Sequence, residues 1–356
     1  MNVTFKDVAK LANVSTQTVS RVTNGSLNVA PETRERVNAA IKQLGYIPNK
    51  GAQILGRAKS KMIGLVTLDI LLHGASLLAN GVRKQAKNLG YGTSLSVIAD
   101  PAFDKITSAV DDLKAQRVEF IIMNIPLSRD NAELLVAHYS AIHFVFNDVP
   151  PDSQVNAVSA ANYDGAKIAA GLMLSLSRKR LLAITGPHGS SVSGLRLQGW
   201  LDVLKEDPES KIINQFEGDW RAGSGYLYTH QALYDGRDFD GVLVANDQMA
   251  LGVLRALSEF NLSVPQQVSV IGFDDTADSA YFTPPLTTIK QDFLTIGQRA
   301  VLLAFNVADK ATKDYQHESI VTELIERKST QAFRPPQANE QQINALLKQI
   351  EKLLIE

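Results

Sequence analysis

The chain has 356 residues, of which 45% are hydrophobic and 21% charged, so it can form two or three folded domains and is not intrinsically disordered. It has no cysteine, which excludes disulfide bonds, thiolate nucleophiles and cysteine-ligated zinc. The sequence contains neither an apolar signal-peptide core at its N-terminus nor an apolar run as long as a membrane span. We therefore expect a soluble, cytoplasmic protein.

The net charge of −1 conceals an uneven distribution along the chain. Residues 1–60 contain nine Lys/Arg and three Asp/Glu, a net charge of +6, whereas the remaining residues carry a net charge of −7. A basic N-terminal segment on an acidic body is typical of a protein that binds nucleic acid through one domain and a different partner through another. On charge alone, a basic tail without a function is the alternative.

Residues 1–46 have the pattern of three short helices. Thr4 can cap the first helix, and Ser15 or Thr16 can cap a second helix over Gln17–Val22. The third helix begins at Pro31, a residue type that is favoured in a first helical turn. Two short helices joined by a tight turn and followed by a third predict a helix-turn-helix domain.

The second predicted helix carries side chains that suit base edges. Gln17 can pair with adenine and Arg21 with guanine, each pairing contributing roughly 1–3 kcal/mol of discrimination. Ser20, Asn24 and Arg34 are better suited to phosphates, which position a protein on DNA without reading its sequence. Taken singly, these residues also fit a polar surface helix with no partner.

The head as a whole resembles the lactose-repressor/galactose-repressor family of bacterial transcription regulators. The resemblance is carried by DVAKLANVSTQTVSRVTN at 7–24 and TRERVNAAIKQLGYIPN at 33–49. It implies that the second helix enters the major groove of double-stranded operator DNA. It also implies that Thr16 and Gln17 read bases, with Arg21 one turn further along the helix.

Residues 47–60 form a short, basic segment that is rich in small residues. By itself this composition indicates a flexible linker, since glycine disfavours a stable free helix. The family resemblance implies more: such segments fold into a hinge helix when two protomers meet on DNA. Leu55 would then insert into the minor groove and kink it.

Beyond the linker, buried apolar runs alternate with helical patterns, which predicts an α/β core of two doubly wound lobes over residues 61–332. The predicted strands are Met62–Leu68, Ser94–Ala99, Phe120–Ile125, Ala141–Phe146, Leu181–Thr185, Gly241–Ala245 and Val268–Phe273. The predicted helices between them include Gly81–Leu89, Ile106–Gln116 and Met249–Glu259.

Polar side chains follow several of the predicted strands, where ligands of open α/β sheets bind. These side chains are Asn124, Asp148, Asn246 and Asp274. Together with Arg196 they suit a neutral polyol, because carboxylate, amide and guanidinium groups can each pair neighbouring hydroxyls. Trp220 and Phe293 supply flat apolar faces for a sugar ring. The alternative is that the strand-end residues only cap the helices that follow.

The resemblance to the same family extends across the core and implies a periplasmic-binding-protein-like fold that binds a galactoside. It is carried by SVSGLRLQGW at 191–200, GDW at 218–220, VANDQMALG at 244–252, GFDDTADSA at 272–280 and PPLTTIKQDF at 284–293. The resulting set of ligand-binding residues is Leu72, Ala75, Leu78, Asn124, Asp148, Arg196, Trp220, Asn246, Gln248, Asp274, Gln291 and Phe293. Within this set, Leu72, Ala75 and Leu78 match the apolar wall that accepts the aglycone.

The pattern does not support catalysis, a metal site or a cofactor. None of the six histidines begins a metal-binding spacing such as HxxxH or HExxH. His188 lies near Ser190 and Ser191, but the GxSxG turn of a nucleophilic serine is absent. We therefore expect a protein that is not an enzyme.

The tail predicts self-association. Residues 333–340 form a linker, and apolar residues at heptad spacing follow in 341–356, namely Ile343, Leu347, Ile350 and Leu354. Two heptads are too short to be stable alone, so they indicate assembly with other copies, which the resemblance makes a tetramer of two dimers. Packing on the core's own surface is the alternative. The resemblance places the dimer interface at Leu251, Tyr281 and Phe282.

Together with these patterns, the family resemblance implies a transcription repressor of a lactose or galactoside utilisation operon, which a galactoside inducer releases from its operator. A sugar-binding receptor that feeds a transporter would explain residues 61–330 but would leave the basic head without a role. A related repressor whose ligand acts as a co-repressor, as in purine-type members of the family, is a third possibility.

Overall fold

The computed structural model describes residues 3–24, 26, 28–47, 60–308 and 314–330. The chain divides into a head unit, Met1–Lys61 with Gln116–Val118, and a core unit that comprises Met62–Ala115 and Glu119–Glu356. Five residues with predicted roles lie outside the described residues: Leu55 of the hinge and Ile343, Leu347, Ile350 and Leu354 of the tail.

The head consists of three helices, α1 (Phe5–Ala12), α2 (Thr16–Thr23) and α3 (Pro31–Leu44). Asn13 ends α1 in the left-handed conformation with φ of 50°, which turns the chain towards α2. Ser15 caps α2 by accepting a hydrogen bond of 3.1 Å from the Thr18 amide. These two caps form the turn of the helix-turn-helix that the sequence predicts.

One valine from each helix is completely buried in the centre of the head: Val8 of α1, Val19 of α2 and Val37 of α3. Burying a valine contributes roughly 1.5–3 kcal/mol, so this small cluster is the main apolar contribution to the stability of the head. It also fixes the outward face of α2, because Val19 and Val22 occupy its inward face.

The first lobe of the core is a six-stranded sheet in the order β11-β5-β4-β3-β1-β2, with every strand pair parallel. Its strands are β1 (Met62–Thr67), β2 (Gly92–Val97), β3 (Phe120–Pro126), β4 (His143–Asp148), β5 (Ala157–Ala160) and β11 (His317–Ile320). Its helices are α4 (His73–Asn88), α5 (Phe103–Ala115), α6 (Arg129–His138) and α11 (Phe293–Ala308).

The second lobe is a six-stranded sheet in the order β12-β10-β9-β8-β6-β7, parallel except for the β10–β12 pair. Its strands are β6 (Arg180–Thr185), β7 (Lys211–Glu217), β8 (Gly241–Val244), β9 (Ser269–Asp274), β10 (Thr287–Lys290) and β12 (Glu323–Ile325). Its helices are α7 (Asn162–Ser175), α8 (Ser191–Leu204), α9 (Ala222–Tyr234) and α10 (Asp247–Glu259), and a short 3₁₀ helix spans Ser279–Tyr281.

In both lobes the strand order reverses direction once, between β1 and β3 in the first lobe and between β6 and β8 in the second. This reversal confirms the predicted doubly wound fold and creates a crevice at the carboxyl ends of those strands. All seven predicted strands are present as β1, β2, β3, β4, β6, β8 and β9. The sequence did not predict β5, β7, β10, β11 or β12.

The chain passes between the lobes three times within the described core: after β5, after β10 and between β11 and β12. Within the described core, the lobes are therefore joined by three short crossings. No helix in the described part of the chain is long and apolar enough to cross a membrane.

Candidate functional site

The outward face of α2 carries the side chains predicted to read bases. Thr16, Gln17 and Arg21 are exposed, and Arg21 lies one helical turn beyond Gln17. Because the opposite face is buried, these three side chains are presented to solvent together. The helix can therefore offer an amide and a guanidinium to one ligand surface.

The residues predicted to hold phosphates are partly engaged within the head. Ser20 accepts a hydrogen bond of 3.3 Å from the Asn24 side-chain amide. Arg34 on α3 donates through Nη2 to the Ser26 carbonyl at 2.6 Å. Arg34 thus fixes the loop between α2 and α3, and a contact with phosphate would have to use its other N–H groups.

A cavity of about 680 Å³ lies between the two lobes of the core, at the carboxyl ends of their strands. Its position is the one that the strand reversals dictate for both sheets. Ten of the predicted ligand-binding residues line it: Leu72, Ala75, Asn124, Asp148, Arg196, Trp220, Asn246, Gln248, Asp274 and Phe293.

Two predicted ligand-binding residues do not line the cavity. Leu78 is buried in the apolar core of the first lobe and lies behind the residues that line the cavity. Gln291 is also buried, and its Nε2 donates to Asp274 Oδ1 at 2.6 Å. Gln291 therefore orients a lining carboxylate.

Asp148, at the end of β4 in the first lobe, is held by the second lobe. Its carboxylate accepts hydrogen bonds from Ser190 Oγ at 2.7 Å, from Ser191 Oγ at 2.7 Å and from the Val192 amide at 3.1 Å. These donors lie at the N-terminus of α8, where a carboxylate is also favoured by the helix dipole. Sequence reasoning considered the two serines only as candidate nucleophiles and missed this contact between the lobes.

Arg196 lies at the buried floor of the cavity. Its Nε donates to Asn162 Oδ1 at 2.9 Å and its Nη1 to the Ala245 carbonyl, while its guanidinium lies 3.9 Å from the ring centre of Phe273. Its nearest charge partner is Asp274, at 3.9 Å. Burial lowers the pKa of Arg196, so its charge depends on these fixed partners.

Asp274, at the end of β9, is the second buried charge of the floor. Burial raises the pKa of Asp274 to about 7, against the opposing effect of Arg196. The neighbouring Asp247 does not line the cavity, and burial raises its pKa to about 6. Asp247 accepts hydrogen bonds from the Thr276 amide at 2.9 Å and from Ser279 Oγ at 2.6 Å, which ties α10 to the loop after β9.

The indole of Trp220 forms one wall of the cavity. Trp220 has a left-handed backbone with φ of 69°, and its carbonyl accepts a hydrogen bond of 2.9 Å from Asn246 Nδ2. The ring lies directly against Gly186, where an added Cβ would be 2.1 Å from Trp220 Cζ2. The absence of a side chain at Gly186 is therefore a requirement for this ring position.

The cavity also contains groups that the sequence analysis did not single out, chiefly Asp69, Asp219 and Arg221. Within the described residues, no group of three or more His, Cys, Asp or Glu is placed to hold a metal ion. The lining is thus a mixture of carboxylates, amides and one buried guanidinium beside aromatic rings. Such a lining can pair hydroxyl groups and stack on a sugar ring.

The residues predicted for the dimer interface lie on the surface of the second lobe. Leu251 on α10 is 44% exposed and Tyr281 in the 3₁₀ helix is 85% exposed. Phe282 is half-buried and packs against the apolar core of this lobe. Two large exposed apolar side chains are available there for a partner.

Comparison with known proteins matches both units. The model of the lacI family of bacterial regulatory proteins matches residues 4–49, and that of the periplasmic binding protein-like domain matches residues 172–330. The chain is 37% identical over 356 residues to the lactose operon repressor of Escherichia coli (strain K12), covering 99% of this chain and 98% of the relative. It is 32% identical over 338 residues to the HTH-type transcriptional repressor PurR of Haemophilus influenzae (strain PittEE), covering 93% of this chain and 99% of PurR.

Among solved structures, the Lac repressor dimer bound to operator and the anti-inducer ONPF matches with a TM-score of 0.85 and 38% identity. The match covers 93% of this chain and 100% of that chain, which includes both the head and the core. The chain therefore belongs to the lacI family of bacterial regulatory proteins, as a DNA-binding transcriptional repressor with a sugar-binding domain.

Proposed function

We propose that this protein represses a lactose or galactoside utilisation operon and is released from its operator by a galactoside inducer. Its partners are double-stranded operator DNA, a galactoside and other copies of the same chain. The proposal includes no chemical reaction and no cofactor, in keeping with relatives that are repressors.

The head supports the DNA-binding part of this proposal. Gln17 and Arg21 project from the exposed face of α2, where they can pair with base edges in the major groove. Thr16 begins the same face and contributes a hydroxyl and a methyl group. The similar Lac repressor structure is itself bound to operator. Ser20, Asn24 and Arg34 are proposed to contact phosphates, and Leu55 to insert into the minor groove.

The core supports the sugar-binding part. A neutral sugar both donates and accepts hydrogen bonds, so it needs carboxylates and amides together with a guanidinium. Asp148, Asn246 and Asp274 supply the first two, and Arg196 supplies the third. Trp220 lies at the same cavity and can cover the apolar face of the ring.

Coupling between sugar and DNA is proposed to act through the contact of the two lobes at Asp148. A sugar hydroxyl that donates to Asp148 competes with Ser190 and Ser191, which now join this carboxylate to the second lobe. Exchanging those bonds changes the relative energy of two lobe arrangements. An inducer needs only a differential affinity for the two arrangements, with a coupling of about 1–3 kcal/mol.

Assembly is proposed to be a dimer formed through Leu251, Tyr281 and Phe282, with pairs of dimers joined by the tail helices of residues 341–356. Exposed apolar side chains at Leu251 and Tyr281 support the dimer contact. The similar Lac repressor structure is a dimer. A twofold-symmetric dimer would place two heads on the two halves of a palindromic operator.

The observation that carries the proposal is the presence, in one chain, of a helix-turn-helix with an exposed Gln17–Arg21 face and a cavity lined by Asp148, Arg196 and Asp274. The test is a fluorescence-anisotropy titration of a labelled palindromic lactose-type operator, with and without isopropyl thiogalactoside. We expect tight binding that weakens when the galactoside is added. Tight operator binding that does not change when the galactoside is added would refute the proposed inducer. Binding to this operator no tighter than to random DNA would refute the proposed operator.

A second candidate is a repressor that binds its operator more tightly when a purine is present. The 32% identity to PurR over 93% of this chain supports this second candidate. The same titration separates the two candidates when it is repeated with a purine in place of the galactoside. A purine co-repressor strengthens operator binding, whereas a galactoside inducer weakens it.

A further inference from the structure

An ion pair joins the two lobes beside the cavity. Arg221 Nη2 lies 3.0 Å from Asp69 Oδ2. Asp69 follows β1 of the first lobe, whereas Arg221 immediately precedes α9 of the second lobe. Both residues line the cavity. The ion pair therefore spans the cavity from one lobe to the other.

The exposure of the lining side chains places this pair at the mouth of the cavity. The side chains of Arg196 and Asp274 are 4% and 9% exposed, which marks the floor. By contrast, the side chain of Asp69 is 24% exposed and that of Arg221 is 67% exposed. A ligand that reaches the floor through this mouth passes the ion pair.

Both partners of the ion pair are held on ordered turns. Asp69 Oδ1 accepts a hydrogen bond of 2.9 Å from the Leu71 amide. The Arg221 amide donates to Asp219 Oδ1 at 2.9 Å, and the Arg221 carbonyl accepts from Ser224 Oγ at 2.9 Å. Because the two backbones are already fixed, less conformational entropy is lost when the side chains pair.

We propose that Asp69 and Arg221 form a gate across the mouth of the sugar cavity and set the rate at which the sugar enters and leaves. The proposal rests on the proposed sugar-binding function and adds two residues to that site. Opening the gate requires breaking an ion pair between the lobes, so its strength depends on ionic strength. Partly exposed pairs are weak, so the expected effect on exchange is about two- to fivefold.

The first experiment needs no ligand. Asp69→Asn removes the charge but keeps an oxygen that can accept the Leu71 amide, so the turn is preserved. Acrylamide quenching of Trp220, which lines the cavity, then reports how often the mouth is open. The other tryptophan, Trp200, is 1% exposed and gives a constant background. The matched control is Glu318→Gln, which breaks the Arg299–Glu318 ion pair within the first lobe.

We expect Asp69→Asn to increase quenching of Trp220, and high salt to increase quenching of the wild type but not of Asp69→Asn. Glu318→Gln should behave as the wild type does. Equal quenching of Asp69→Asn and wild type at low salt would overturn the gate.

The second experiment measures dissociation of isopropyl thiogalactoside by stopped-flow fluorescence on the full-length protein. Asp69→Asn should release the sugar about two- to fivefold faster than the wild type and lose the salt dependence of the rate. An unchanged rate and an unchanged salt dependence would overturn the gate. If the galactoside binds no variant, the proposed inducer fails, and the quenching experiment still decides whether the gate exists.

Discussion

Two buried carboxylates lie near the ends of neighbouring strands of the second lobe: Asp247 follows β8, and Asp274 is the last residue of β9. Burial raises the pKa of Asp247 to about 6 and that of Asp274 to about 7, from the ordinary aspartate pKa of 3.8. The folded protein therefore holds protons at these sites more tightly than the unfolded chain does. Their contribution to stability is fully present below pH 3.8 and is lost as the pH rises through the folded pKa values.

We predict that the unfolding temperature of the ligand-free protein falls between pH 5 and pH 8 because Asp274 must ionise there, close to its folded pKa of about 7. Asp274→Asn removes this titration and keeps an oxygen for Gln291, so its curve should be flatter. Burial lowers the pKa of His73, so its titration makes stability rise with pH, but this contribution is the same in both proteins. Calorimetry at several pH values checks the prediction, and a pH-independent difference between the two proteins would contradict it.

The Trp220 wall depends on the missing side chain at Gly186. We predict that Gly186→Ala lowers affinity for the sugar by roughly tenfold or more, because the new Cβ would lie 2.1 Å from the indole and displace it. Gly194→Ala is the control, since a Cβ there has no neighbour within 4 Å. Isothermal titration calorimetry with isopropyl thiogalactoside measures both. Equal affinities of the two variants would show that the ring does not contact the ligand.

At the scale of single residues, the sequence predicted the groups that directly follow buried strands, such as Asp148, Asn246 and Asp274. Their position follows from the rule that ligands bind beyond the carboxyl ends of parallel strands. Asp69 and Arg221 could not be found in this way, because they lie 152 positions apart in the chain and their significance arises from a contact between the two lobes. No local pattern records such a contact.

Helix α2 combines a buried and an exposed face in eight residues. We predict that Arg21→Ala weakens binding to the operator by about 1–3 kcal/mol more than it weakens binding to random DNA, since it removes a base contact. Ser20→Ala, at a position proposed to contact phosphate, should weaken both to a similar extent. Competition titrations against random DNA measure the difference. An equal loss on both DNAs for Arg21→Ala would assign Arg21 to the phosphate backbone instead.

Helices α4 and α11 of the first lobe pack closely at a glycine. An added Cβ at Gly81 would lie 2.2 Å from the Leu294 carbonyl oxygen, so the two backbones would have to separate. We predict that Gly81→Ala lowers the free energy of unfolding by about 1–3 kcal/mol. Gly171→Ala in α7, with no neighbour within 4 Å, should instead raise it by roughly 0.5–1 kcal/mol. Urea unfolding measures both changes in the free energy of unfolding. A change of the same sign in both variants would contradict the close packing at Gly81.

At the scale of elements, the sequence predicted seven strands, but it missed three of the four edge strands (β7, β11 and β12) and two interior strands (β5 and β10). Strand β3 begins with four fully buried residues, which makes a continuous apolar run. Strand β7 consists of half-buried and exposed residues and contains Lys211 and Asn214, so it lacks that run. Strands β11 and β12 are only four and three residues long, and β11 pairs with β5, which lies far from it in the chain. Their pairing depends on the assembled sheet.

At the scale of the whole molecule, the proposed function requires that sugar and DNA compete through the energy of two conformations. The two ligands bind different parts of the chain, so no direct contact between them is needed. The element proposed to have two arrangements is the pair of lobes, which are joined by three short crossings and by the hydrogen bonds of Asp148. Differential affinity of the sugar for these arrangements is then the only source of release.

Coupling of the sugar and the operator through one equilibrium gives a quantitative prediction. The factor by which a saturating galactoside weakens operator binding should equal the factor by which saturating operator weakens galactoside binding, because the coupling free energy is reciprocal. Anisotropy measures the first factor, and equilibrium dialysis with and without operator measures the second. Ser190→Ala removes one donor to Asp148 in the present arrangement of the lobes, so it should change both factors together. Factors of one in both measurements would mean that the sugar and the operator do not act on the same equilibrium. A Ser190→Ala protein with unchanged factors would remove Asp148 from the coupling.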